Sequence, residues 1–129
     1  MTASAMRVVA SLAAAIIPFA AVAAARADGD PARGEQLYAD CIACHPVERD
    51  VHGIGPSLAG IIGRKAGEIA GYRYSGALRR SGLTWTPEAL DTFIADPQAS
   101  VPANRMPYAG MPNAGDRADL IAYLQKISK

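Results

Sequence analysis

Cys41, Cys44 and His45 stand within five residues, in the order Cys41-Ile42-Ala43-Cys44-His45. Two thiols and an imidazole at this spacing admit four chemistries: a disulfide, a thiol redox pair, a zinc site, or covalent attachment of a haem. A thioredoxin-like pair sits between the strand and helix of a βαβ unit, and no strand signal precedes these residues. Zinc takes four ligands, but the chain has no second cysteine pair and only one other histidine, His52. A disulfide suits an oxidising compartment yet leaves His45 without a role. Haem attachment uses all three residues. Thiols three residues apart on a helical turn reach two vinyl groups on one side of a porphyrin, and the next imidazole projects under the iron. The expectation is one haem c, bonded to Cys41 and Cys44, with His45 as an axial ligand.

The elements that must carry this turn read as helices. Asp30-Pro31 has the form of a cap and first helical position, predicting a helix to about Asp40 with Leu37 and Tyr38 as its apolar patch. Ser75 caps a short helix through Arg80. Thr86-Pro87-Glu88 starts another, with Leu90, Phe93 and Ile94 on one face, stopping before Pro97. Asp96-Pro97 starts one further turn. Asn113 to Asp116 has the spacing of a capped start, and Leu120, Tyr123, Leu124 and Ile127 follow at helical intervals with Ile121 beside them. Residues 46–74 hold eight glycines or prolines and read as long ordered loops. Loops of that length in a small domain wrap something, and residues 28–85 are poor in long apolar runs. A large buried cofactor supplies the missing apolar volume.

The first 27 residues read as a cleavable secretory signal peptide: a basic start at Arg7, an apolar run over 8–25, and Ala25-Arg26-Ala27 before Asp28. The alternative, a membrane anchor, is marginal because the run is short, alanine-rich and interrupted by Pro18. The expected mature domain is residues 28–129. Without Arg7 and Arg26 it has 11 Lys and Arg against 12 Asp and Glu, a formal charge of −1. No concentrated basic face marks a nucleic-acid partner. No stable membrane insertion is expected after cleavage, and the domain is expected to be a monomer.

Six ordered blocks carry a resemblance: Gly55-Pro56-Ser57-Leu58-Ala59-Gly60, Gly63-Arg64-Lys65, Gly71-Tyr72-Arg73-Tyr74, Gly82-Leu83-Thr84-Trp85, Arg105-Met106-Pro107-Tyr108-Ala109-Gly110, and Arg117-Ala118-Asp119-Leu120-Ile121-Ala122-Tyr123-Leu124. With the attachment motif they make residues 30–128 resemble the class I cytochrome c family, in the branch shared by mitochondrial-type members and small soluble periplasmic carriers. The resemblance implies an all-α fold of about three to five helices, with long loops wrapped around one covalently bound haem. It implies Met106 as the sixth iron ligand, with Met111 a packing residue. Thioether and imidazole together raise the iron's potential and leave no open position for oxygen chemistry.

The resemblance also implies that the Pro56 carbonyl receives the second ring N–H of His45, that Arg64, Tyr74 and Trp85 hold the haem propionates, and that Asn104 steadies the methionine loop. Taken alone, Arg64 reads as a solvated charge and Trp85 as a core aromatic. His52 is expected to tie loops together and not to bind metal. Leu37, Tyr38, Leu120 and Tyr123 are expected to pack the first and last helices, with Gly34 allowing a close crossing. Two departures stand out. Phe93 replaces a family tyrosine near the methionine. Where mitochondrial-type members ring the haem edge with lysines, this chain has Gln36, Asp40, Gln98, Arg105, Pro112 and Asn113.

The function expected is a soluble periplasmic one-electron carrier of a Gram-negative bacterium, not an enzyme. Its expected partners are redox proteins: membrane cytochrome complexes, oxidases or periplasmic dehydrogenases. A dedicated electron-accepting subunit of one dehydrogenase would carry the same residues. A ligand-binding or peroxidase-like haem protein would need an open sixth position, and Met106 argues against it.

Overall fold

A computed structural model describes residues 28–129; the expected signal peptide, residues 1–27, lies outside the described residues. Six helical segments follow in order: α1 Pro31–Leu37, α2 Ala39–Ile42, α3 Gly76–Arg80, α4 Pro87–Ala95, α5 Pro97–Ser100 and α6 Ala114–Ile127. The sole extended pairing among the described residues is an isolated antiparallel bridge between Lys65 and Thr84. The domain is therefore all-α, as expected.

Most helix starts follow from local chemistry. The first backbone N–H groups of a helix lack intrahelical partners, and a short polar side chain just before them can accept one. Asp30 accepts from the amides of Ala32 and Arg33, ahead of Pro31. Ser75 accepts from Leu78, Thr86 from Ala89, Asp96 from Ala99 and Asn113 from Asp116. The expected single helix from Pro31 to about Asp40 is instead two segments. Tyr38 (φ −64°, ψ −14°) lies between them, and its carbonyl accepts from both Cys41 and Ile42 at 2.8 and 3.0 Å. This tightened turn delivers Cys41 to the edge of the core.

α1 packs on α6, and α6 also packs on α4. Gly34 is buried in the first of these contacts, and a Cβ there would collide with the carbonyl of Asp119 and come within 2.9 Å of the Tyr123 Cβ. Only a glycine admits so close a crossing. Tyr38 and Tyr123 meet beside it with ring centroids 5.2 Å apart. Leu37, expected in this contact, is only half-buried, so the larger share falls to Tyr38. Leu120, Ile121, Tyr123 and Leu124 form the buried face of α6. Each such side chain contributes about 1.5–3 kcal/mol by leaving water.

The long loop between α2 and α3 is ordered by hydrogen bonds. Gly63 donates to Trp85, Trp85 to Arg64, and Ala66 to Leu83, at 2.8–2.9 Å. His52 Nδ1 accepts from the Ser57 amide at 3.1 Å, and its Nε2–H donates to the Ala70 carbonyl at 2.9 Å. Both ring nitrogens of His52 are thus used in joining loop segments.

Candidate functional site

One cavity, open to the surface, is lined by Cys41, Cys44, His45, Pro56, Arg64, Tyr74, Trp85, Asn104 and Met106. All nine residues assigned to a cofactor by the sequence come together there, drawn from α2, two loops and the segment before α6. Met111 and His52 do not line it. Met111 is buried in the core, with its amide donating to the Ile94 carbonyl at 2.8 Å.

The attachment turn continues from the end of α2. The Cys41 carbonyl accepts from the amides of Cys44 at 3.1 Å and His45 at 2.9 Å. Both thiols are free and half-buried. Burial, aided by Asp40 and then Cys44, pushes the Cys41 thiol up to about 11, so it is a protonated thiol at neutral pH.

His45 is half-buried and hydrogen-bonded through Nδ1 to the Pro56 carbonyl at 2.8 Å. A carbonyl only accepts, so Nδ1 carries the proton and Nε2 keeps its lone pair. Burial lowers the pKa of His45 below the usual imidazole value; the Pro56 bond opposes this and the Arg64 charge adds to it. The ring is therefore neutral at neutral pH, with its Nε2 lone pair available. Gly55 lies flat against it: a Cβ there would stand 2.6 Å from Nδ1 and 2.8 Å from Nε2. No sequence signal marks Gly55, because its contact depends on a loop folding back onto a residue ten positions earlier.

On the Met106 side, the loop is fastened by Asn104. Its amide nitrogen donates to the carbonyls of Pro97 at 2.8 Å and Val101 at 2.9 Å, and its oxygen accepts the Met106 amide at 2.8 Å. Arg117 holds the far end, donating to the Met111 and Pro112 carbonyls at 2.9 Å while Nε pairs with Asp91 at 2.8 Å. Phe93 lines the cavity and meets Trp85 edge to face at 5.0 Å.

The walls fit a planar, mostly apolar group that carries acid substituents. Leu58, Ile61, Leu90, Ile94, Leu120 and Leu124 contribute apolar surface. Arg64 is the exception. Its Nη1 and Nη2 donate to the Ala59 and Ser57 carbonyls at 3.3 and 3.0 Å, but its buried Nε has no partner. Burial lowers its pKa, with the neighbouring Tyr74 hydroxyl opposing this. A buried cation with an unused N–H is costly unless an anion meets it. A haem propionate is such an anion. Tyr72 and Tyr108 also line the cavity, and the Tyr72 hydroxyl donates to the Ile54 carbonyl at 2.7 Å; neither was singled out in the sequence, where each is one aromatic inside a longer block.

Among the described residues no three His, Cys, Asp or Glu side chains cluster as a metal site would require. None of their helices is long and apolar enough to cross a membrane.

Comparison with known proteins agrees with this geometry. Residues 31–128 match the family model described as Cytochrome c. The chain is 46% identical over 101 residues to cytochrome c2 iso-2 of Magnetospirillum fulvum, covering 78% of this chain and 100% of that protein. It is 44% identical over 103 residues to cytochrome c2 of Rhodomicrobium vannielii, covering 79% and 82% respectively. Among solved structures, cytochrome cH from Methylobacterium extorquens aligns with a TM-score of 0.73 at 43% identity, over 76% of this chain and 99% of that one.

Proposed function

The chain belongs to the cytochrome c family, and from that premise we propose that it is an exported, mobile carrier in which His45 and Met106 would ligate the haem iron. It carries one covalently bound haem c and transfers electrons; it is not an enzyme. The bound haem supplies a one-electron couple at its iron. The chain's residues bind, orient and enclose that group.

Cys41 and Cys44 hold it through thioether bonds. The Pro56 carbonyl fixes the His45 tautomer and leaves Nε2 free to ligate. Asn104 fastens the backbone of Met106. Arg64, Tyr74 and Trp85 receive the propionates, with the unpartnered Nε of Arg64 as the strongest support. The observation that carries the ligand assignment is that Met106 lines the cavity with His45, while Met111 is packed in the core.

The finer reading is a monomeric periplasmic protein, residues 28–129 after removal of residues 1–27, serving redox proteins such as membrane cytochrome complexes, oxidases or dehydrogenases. The cytochrome c2 relatives support a free carrier over a dedicated dehydrogenase subunit.

The test is optical. In haem-loaded protein from a secretion-competent host, Met106→Ala loses the near-infrared thioether-to-iron band and Met111→Ala keeps it. The reverse pattern overturns the ligand assignment. A mature product with no mass beyond its amino acids overturns covalent attachment.

A further inference from the structure

Tyr38 holds both ends of the attachment turn. Its carbonyl accepts from the amides of Cys41 at 2.8 Å and Ile42 at 3.0 Å, where the turn begins. Its hydroxyl donates to the carbonyl of His45 at 2.5 Å, where the turn ends. The residue is 2% exposed, and its ring stands against Tyr123 of α6. A phenylalanine would fill the same space against Tyr123, so packing alone leaves the hydroxyl unexplained.

We infer that Tyr38 is a positioning residue whose carbonyl and hydroxyl clamp the turn 41–45 and link the docking of α1 on α6 to the orientation of the His45 imidazole. The clamp acts on the main chain of His45, and the Pro56 carbonyl acts on its ring. Two fixed points on either side of the Cα–Cβ bond leave the imidazole little freedom to swing. The inference rests on the reading of His45 as an iron ligand.

The test compares haem-loaded Tyr38→Phe and Tyr123→Phe with the unsubstituted protein. The second variant removes a hydroxyl from the same aromatic pair without touching the turn. The amides of Cys44 and His45, which close the turn, are followed by hydrogen exchange, and the His45 ring protons by NMR of the reduced form. Loss of one hydrogen bond is expected to speed exchange of those two amides about fivefold in Tyr38→Phe. The His45 ring resonances shift with it, while the amides of Leu120 and Leu124 in α6 keep their rates. Tyr123→Phe changes none of these. Unchanged turn amides in Tyr38→Phe overturn the clamp. So does an equal acceleration in α6, which would mark a general loss of stability, or an equal effect from Tyr123→Phe. Failure of the haem reading shows separately, as a missing covalent mass gain in the unsubstituted protein.

Discussion

The His45 ring is held by contacts of different chemical kinds. Pro56 takes its Nδ1 proton, and Gly55 closes one face of the ring with bare backbone. Gly55 is itself buried, and its amide donates to the Cys44 carbonyl at 2.8 Å. The loop therefore has no room to retreat from a larger residue. Gly55→Ala is expected to push the imidazole aside and cost about 1–3 kcal/mol, the usual range for overpacking. Chemical denaturation of the haem-loaded variant measures the loss, and a redox titration reports the displaced ligand. A variant with unchanged stability and potential would show that the loop yields. At this scale the sequence was informative wherever residue type encodes the chemistry. Cys41, Cys44 and His45 are identifiable because few side chains bind haem or iron, whereas Met106 is separated from Met111 only by the family resemblance of the block around it. Gly55 and the Tyr38 hydroxyl were not, because their partners are a ring face and a main-chain carbonyl that no residue type announces.

The α1–α6 contact is where helices position the site. Beyond the Gly34 crossing, Arg33 bonds to the carboxylates of both Asp116 and Asp119, and the Asp30 amide donates to Asp119 at 2.7 Å. Gly34→Ala is expected to force these helices apart, because the obstructing Asp119 carbonyl is backbone. A loss of about 1–3 kcal/mol follows from overpacking, measured as a lower Tm; an unchanged Tm would refute the close-crossing argument. The same contact sets an acid limit. The Asp30 amide, with Arg33 behind it and partial burial opposing, holds the Asp119 carboxyl below its usual range. A carboxyl with a lowered folded pKa binds fewer protons folded than unfolded. Its contribution is complete above the unfolded value, about 4, and is lost as pH falls through the lower folded value. Thermal melts should therefore show Asp119→Asn losing less stability than the unsubstituted protein as pH falls below about 4. Parallel curves would remove Asp119 from the account. The caps that begin these helices were readable from Asp30, Thr86 and Asn113, since capping is local. The break at Tyr38 was not, since the groups Tyr38 meets there, the Tyr123 ring and the His45 carbonyl, lie outside its own turn.

For the molecule as a whole, the question is how a partner reaches the cofactor. The chain has only Lys65, Lys126 and Lys129 as lysines, and Gln36, Asp40, Gln98, Arg105, Pro112 and Asn113 are all exposed where a lysine ring would stand. The large hydrophobic side chains exposed among the described residues are Ile42 at 53%, Val51 at 51% and Ile54 at 76%. All three belong to the attachment turn or to the loop resting on it. Gly53 approaches the Cys44 carbonyl, Gly55 bonds to it, and Ile54 itself lines the cavity. Contact beside the haem is therefore largely apolar, with Asp40, Arg73 and Arg105 as the exposed charges at the rim. Charge complementarity acts chiefly on encounter rate, so this surface should show little electrostatic steering. Oxidation of the reduced protein by bacterial membranes that carry a cytochrome c oxidase should change less than about twofold between roughly 0.01 and 0.1 M salt, where the Debye length shrinks from about 30 to 10 Å. Ile54→Asp should slow the same reaction roughly fivefold at every salt concentration, since it places a desolvation cost in the contact itself. A steep fall with salt in the unsubstituted protein would return the docking to charge, and an Ile54→Asp variant with full activity would move it away from this loop.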